Sequence, residues 1–507
     1  MLQENSKKNQ FFIRLLQCFI LIQPLLDTYF FYANSKLKKL FVFSIPTLLR
    51  FGLIALIVFL FWKFSISESR SRYFKYICVY ALILLFYSVG HLWYFSTFPA
   101  ISKVMIVKEA FYIVRMLLPM IMIYIIYHTE FSIQQFMVVI QGLVALISGS
   151  IVISNLICKS MCSYDNHKLI VANIFSWFSR SDFTFREIAS KGWFYFANTI
   201  SAILVLLVPL IIYLLLTRFN FINSILYIVT GMAMIMLGTR VGTLGFVAIN
   251  ILSILVYLVH IFILRNAKFS IKPLILIAIF VGAYCATIPY SPMSRRNQST
   301  ETVAKKSTKH HTKRLIKKLD KALSQKETKA EKKEYIIAFV KKYHNRFNIP
   351  KKYIKYSIPV ENNYQFWNKI YHWPSIKRMD NRLLEETMVK EYMSQKSVGF
   401  VKIFGISYLA MTQLFHLERD FVSQKDSMGF IGMILLVGIY PIMIVYSIYK
   451  WLRYSQLRTM LNSFLIMANG LLILVAYNSG NVMDFLTASL IASFTFGFML
   501  LQQKKVK

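Results

Sequence analysis

Arg240 stands in the stretch "LGTRVGTLG", residues 237–245, between the apolar runs "FINSILYIVTGMAMIM" and "FVAINILSILVYLVHIFIL". Gly238 and Gly242 let backbone approach a ligand closely. Thr239 and Thr243 add hydroxyls, and the next helix would offer its first N–H groups. A guanidinium in that company suits an anion, above all a phosphate. Glu418 and Asp420 lie two apart in "LERD", eleven and nine residues before Gly429. A carboxylate desolvated beside a cleft can act as general base on a hydroxyl. The same pair at a helix start would simply complement the dipole. His416 and His372 are rival bases. Asp27, Arg50, Glu109, Arg115 and Asp484 also lie in or beside apolar runs. A charge at mid-bilayer costs roughly 2.5–3.5 kcal/mol, so each needs a partner or a task. Asp27 and Arg50 can pair as a bridge between the first two runs, and Arg115 with Glu109 only awkwardly at six residues apart.

The elements that must position these groups are membrane helices. The chain has 507 residues, 56% hydrophobic and 16% charged, against about a quarter charged in soluble domains. Apolar runs of about 20 residues recur, which marks a polytopic all-α bundle. Twelve spans are expected near 11–33, 41–62, 75–95, 109–127, 134–157, 193–216, 221–238, 241–264, 271–289, 427–449, 459–478 and 481–501. An even count, with basic segments such as "YKWLRYSQLR" and "QQKKVK" inside, puts both termini in the cytoplasm. Residues 1–289 then form a first bundle of about nine spans, with a short outer segment at 158–192. Residues 290–426 form a long extracellular loop, and 427–507 the last three spans and a cytoplasmic tail. The first apolar run is expected to stay as a helix, since it is long, contains Asp27 and lacks a small-residue cleavage pattern.

Much of the net charge of +37 sits in the loop, where residues 291–400 hold 26 Lys and Arg against 10 Asp and Glu. No nucleic-acid motif accompanies it, so nucleic acid is not expected as a partner, and anionic lipids or wall polymers account for the charge. Leu315, Leu319 and Leu323, then Ile336, Phe339, Val340 and Tyr343, recur at helical spacing. They suggest either amphipathic helices lying on a surface or a Lys-rich disordered insert. Cys158 and Cys162 are expected as free thiols, because one helical turn is poor disulfide geometry. Neither a metal nor a cofactor is expected.

Several segments in order resemble the O-antigen ligase / O-antigen polymerase family of membrane glycosyltransferases. They are "QPLLDTYFFY" with "TLLRFGLIAL", "GWFYFANTISAILVLLVPL" with Asn198, "MLGTRVGTLGF", "VKIFGIS" before "LERDF…GFIG", and "YNSGNVM". The nearest likeness is to Gram-positive members that build extracellular or teichuronic-type polymers. The resemblance implies a GT-C-like all-helical fold with a large outer loop. It implies inverting transfer of a glycan from an undecaprenyl-pyrophosphate donor to an acceptor sugar, alongside other polysaccharide-assembly proteins. Arg240 would hold the pyrophosphate with a loop arginine, Arg382 fitting best by spacing and Arg378 next. Glu418 or Asp420 would serve the acceptor, with Gly238, Thr239, Gly242, Asn198, Arg50, Asp27 and His416 in support. The chain departs from the family pattern with Glu418 where ligases of the lipopolysaccharide pathway place His, Val241 for Gly, and Ser407 for Gly. A flippase or transporter of lipid-linked glycan, and a non-catalytic wall-binding protein, are the rival readings.

Overall fold

This computed structural model describes residues 2–33, 44–64, 70–98, 103–179, 182–309, 311–395, 398–415, 417–480 and 482–504. His416 lies outside the described residues. The chain divides into two compact units, one of residues 1–83, 113–296 and 436–507, the other of 84–112 and 297–435.

The first unit is a bundle of apolar helices. Its most apolar run forms the helix Ala197–Thr217, which is buried all round. An apolar helix in a membrane can face lipid or protein. Here Thr199, Ser201 and Ala202 present small side chains that allow close approach. The helices Phe221–Leu237, Arg240–Leu258 and Met460–Asn478 pack on it. Leu486–Lys504 is interior for the same reason, carrying Ala488, Ala492 and Gly497. A Cβ at Gly497 would stand 2.8 Å from Ile126. Peripheral helices invert the pattern. Ile45–Phe64 and Ile271–Thr287 expose Phe59, Trp62 and Ile279, as surfaces meeting acyl chains do. Helix starts are set by side-chain caps at Ser132, Asn220, Thr239 and Thr459, each accepting the N–H of the residue three further on.

Among the described residues, eleven helices are long and apolar enough to cross a membrane. The seventh expected span, near 221–238, is the apolar helix Phe221–Leu237, which has 17 residues. This is an all-α polytopic membrane protein. Among the described residues the only strands are Met161–Cys162 and Asp165–Leu169, one small hairpin. Cys158 and Cys162 are free thiols.

The second unit has its own core. The helices His311–Ser324 and Lys329–Tyr343 turn Leu315, Leu319, Leu323, Ile336, Phe339 and Val340 inward against Phe347, Trp367 and Tyr371. The expected surface-lying or disordered insert is therefore corrected. The aromatic stretch 364–373 supplies a partner for the amphipathic faces, and the lysines stay on the outside. Trp367 Nε1 donates to the Ile358 carbonyl at 2.8 Å, which satisfies the one polar atom of the largest ring in this core.

A backbone crossing ties the end of this loop to the next span. Ile406 N–H donates to the Asp426 carbonyl at 3.0 Å, and Ser407 N–H to the Ser427 carbonyl at 2.9 Å. Gly405 and Gly429 take φ of 74° and 70°. A Cβ on Gly405 would fall on the Ser427 carbonyl, and one on Gly429 on the Ile403 carbonyl. Gly429 also interrupts the helix Asp420–Leu436, so the tenth span starts at Asp420 and kinks nine residues in. Glu109 is consumed here. Its carboxylate accepts the N–H groups of Tyr408 at 2.7 Å and Leu409 at 3.0 Å and meets His91 Nε2 at 3.0 Å. It therefore caps the short helix Tyr408–Leu414. Gly405→Ala and Gly429→Ala should each cost about 3 kcal/mol or more. Thermal unfolding of the purified protein, followed by size-exclusion fluorescence, checks this; a melting temperature equal to wild type would contradict the crossing.

Candidate active site

In the first unit, one end of the bundle is closed by residues 158–196, the connection between two helices. Ser190 N–H donates to the Met236 carbonyl at 2.8 Å, and Tyr29 N–H to the Trp193 carbonyl at 2.8 Å. Under this cover lies the Arg240 turn. Gly238 adopts φ 68° and ends the preceding helix. Thr239 is buried, caps the Arg240–Leu258 helix through Gly242 N–H at 3.0 Å, and shares a hydrogen bond with Ser201 at 2.7 Å. A Cβ on Gly242 would press Thr239 Oγ1 at 2.9 Å and the Met234 carbonyl at 3.0 Å, so the turn closes only around glycine. Arg240 itself is exposed. Asn198 is half-buried in the first turn of Ala197–Thr217, the helix that also supplies Ser201.

Two more elements complete this place. A Cβ on Gly238 would stand 2.7 Å from Pro292, so the helix Pro292–Lys309 starts against the turn. Its first turn carries Arg295 and Arg296. Arg295 donates to the carbonyls of Phe183 at 2.7 Å and Trp177 at 3.0 Å, pinning the outer connection. Arg296 lies over the Tyr164 ring, 4.8 Å from its centroid, with Nη1 3.4 Å from the phenol oxygen. Tyr164 donates its hydroxyl to the Gly238 carbonyl. Burial pushes this phenol up, while Arg296 and, more weakly, Arg240 pull it down. One tyrosine thus stands in the fields of two guanidiniums brought from residues 240 and 296. Arg296 was not singled out from sequence. Its signal was the pair Arg295-Arg296 directly after an apolar run, submerged in the Lys-rich stretch that follows.

Asp27 and Arg50 form a buried ion pair at 3.0 Å. Arg50 Nε donates to Gln23 Oε1 at 2.8 Å, and Nη2 also reaches the Gln23 carbonyl and Thr487. The Asp27 carbonyl accepts Tyr195 N–H at 2.8 Å. The pair therefore joins the first two spans, the last helix and the outer connection, beneath the Arg240 turn. Lys191, also missed from sequence, is buried, bonds Asn166 Oδ1 and the Tyr195 carbonyl, and is pulled down to about 8 by desolvation.

The second unit holds the other expected residues. Arg382 donates to Glu418 Oε2 from Nε at 2.8 Å and Nη2 at 2.5 Å. The ion pair is more than a third exposed on both sides. Arg419 reaches Glu386 at 3.4 Å, and Lys390 pairs with the same carboxylate at 3.0 Å. Asp420 is buried in the first turn of its helix. Arg378 does not present itself to a ligand. It is buried, donates to the carbonyls of Tyr371 and Trp373 and to Ser375, and lies over Phe347. Desolvation pulls it down to about 10. Of the two loop arginines offered by spacing, Arg378 is thus engaged with its own loop, and Arg382 is engaged with Glu418. His372, the rival base, is lowered by burial but raised more by the Asn368 carbonyl and by Asp320, on which it sits at 3.0 Å. Among the described residues no group of three His, Cys, Asp or Glu side chains gathers as a metal site would require.

A bundle of long apolar helices defines a polytopic membrane protein. A family model described as O-antigen ligase like membrane protein matches residues 9–506, and the chain belongs to that family. No curated protein matches it. At the general level the family sets, the chain is a membrane enzyme of glycosyl transfer, concerned with ligating or polymerising polysaccharide from lipid-linked glycan.

Removing one partner of a buried ion pair costs about 3–5 kcal/mol, while replacing both can be nearly neutral. Asp27→Asn and Arg50→Met should each lower thermal stability strongly, and the double variant should recover much of the loss. Strictly additive losses in that double-mutant cycle would remove the bracing role of the pair.

Proposed function

We propose that this protein transfers a glycan from an undecaprenyl-pyrophosphate donor to an acceptor sugar, with inversion, at the outer face of the cytoplasmic membrane. Both termini then lie in the cytoplasm, and residues 290–426 are extracellular. The observation that carries the reading is the Arg240–Tyr164–Arg296 cluster. Breaking a sugar–pyrophosphate bond develops negative charge on the leaving phosphate. Fixed guanidiniums aimed at that oxygen stabilise the transition state more than the ground state. The capped turn orders the backbone at Arg240, and the Gly238–Pro292 contact orders the start of the helix that carries Arg296. Tyr164 keeps Arg296 in place by stacking and hydrogen bonding.

The acceptor hydroxyl needs orientation and removal of its proton. Glu418 is assigned that task with Arg382 as its partner. The ion pair gives the carboxylate a fixed direction, and an acceptor hydroxyl would displace one guanidinium N–H to reach it. Asp420, buried at the helix start, is assigned to positioning the segment that carries Glu418. The reading extends to polymerisation of repeat units or their ligation to a final acceptor. It needs no metal, since the charge to be stabilised is met by arginine.

The test is complementation of a deletion strain, with surface polysaccharide sized on a gel. Arg240→Ala should reduce polymer by about 100-fold or more, and Arg296→Ala by about tenfold. Full restoration by both variants would overturn the arrangement. Single-unit glycans in the deletion identify a polymerase, and full-length unattached chains identify a ligase. Glu418→Gln and Arg382→Ala should each lower turnover in membranes, and the double variant should lose little more than the worse single one, because the pair acts as a unit. Multiplying losses would separate the two roles.

A further inference from the structure

The helix Asn381–Ser394 leads from the Arg382–Glu418 pair to a groove in the same unit. Arg382, Glu386 and Lys390 follow one another at four-residue intervals and so share one face. Roughly 18 Å of helix separates Arg382 from Ser394. At the Ser394 end lies a cavity of about 730 Å³. Met393, Val401, Ile403, Phe430 and Ile431 make it apolar, and Lys390, Lys402 and Lys425 line it together with Asp426. Phe430 and Ile431 are exposed and belong to an apolar helix long enough to cross a membrane, so an acyl or isoprenoid chain can enter from the bilayer side. The Gly405–Gly429 crossing fixes the two segments that carry Lys402, Ile403, Phe430 and Ile431.

Two of the lysines are already engaged with carboxylates. Lys390 pairs with Glu386 at 3.0 Å, and Lys425 with Asp426 at 3.5 Å. With Glu386 counted, three ammonium groups stand against two carboxylates, an excess of positive charge beside a hydrophobic floor. That is the chemistry of an amphiphile with an anionic head. We infer that this groove binds the phosphate-bearing end of the lipid that carries the acceptor glycan, with its chain on Ile403, Phe430 and Ile431 and its phosphate among Lys390, Lys402 and Lys425. The glycan then runs along the Arg382–Glu386–Lys390 face toward Glu418. The continuity of that face is what favours a glycan-carrying lipid over a bulk phospholipid. The inference rests on the glycosyl-transfer reading for the identity of the head, but the groove's binding is measurable without turnover.

The experiment uses the full-length protein in detergent and a photoreactive polyprenyl phosphate as probe. After irradiation, peptides are mapped by mass spectrometry. Label is expected on residues 400–403 and 428–434. Lys402→Glu should reduce it by about tenfold, as loss of one charged contact does. Phe430→Gln should reduce it as well, with wild-type elution on size exclusion in both cases. The uncharged polyprenol should label these peptides poorly, and an equal concentration of phosphatidylglycerol should not compete. Unchanged labelling in Lys402→Glu, equal labelling by the alcohol, or full competition by phosphatidylglycerol would each overturn the inference. Inactivity of the whole glycosyl-transfer reading would appear instead as wild-type polymer from Arg240→Ala and Arg296→Ala cells, with labelling intact.

Discussion

A guanidinium buried among apolar helices must be given oxygen on more than one side, and Arg50 meets that demand with Asp27, Gln23 and Thr487. Arg50 and these partners come from three separate stretches of chain. The requirement therefore draws the first, second and last helices of the bundle to one point. Asp27 in turn offers its carbonyl to Tyr195, which anchors the outer connection. That connection brings Tyr164 to the Gly238 carbonyl and Lys191 to its buried place. The setting of Arg240 thus rests on a charge pair with no chemistry of its own.

The same economy governs the second unit. Glu109 answers two backbone N–H groups and a histidine. Gly405 and Gly429 allow two backbones to cross where any side chain would intervene. Together they hold the end of the loop to the entry of a span, and that junction carries the lysine-lined groove. Arg378 anchors its own loop by bonding carbonyls, which leaves Arg382 as the arginine that meets a carboxylate at the surface.

Much was legible in the chain. Apolar runs of the right length identified the spans, because a helix in a bilayer must be apolar for about 20 residues whatever surrounds it. The Asp27–Arg50 pair could be named because charges in such runs are few and need one another. The Arg240 turn was visible because glycine, threonine and arginine together are out of place between two apolar runs. Other features were hidden by composition. Arg296 stands among so many basic residues that charge alone does not mark it. The amphipathic helices of the loop showed an apolar face but not what would cover it, so a membrane surface was as good a partner as the aromatic segment that in fact packs there.

By itself the sequence determined that this is a many-span helical membrane protein and which residues carry charge where charge is costly. These are local properties, set by transfer free energy and backbone geometry over a few residues. Only the tertiary structure decided which arginine stands with Arg240 across Tyr164, that Arg378 is spent on its own backbone, and that Arg382 and Glu418 meet. The first and last of these depend on contacts between residues tens to more than a hundred positions apart, whose pairing no local pattern encodes.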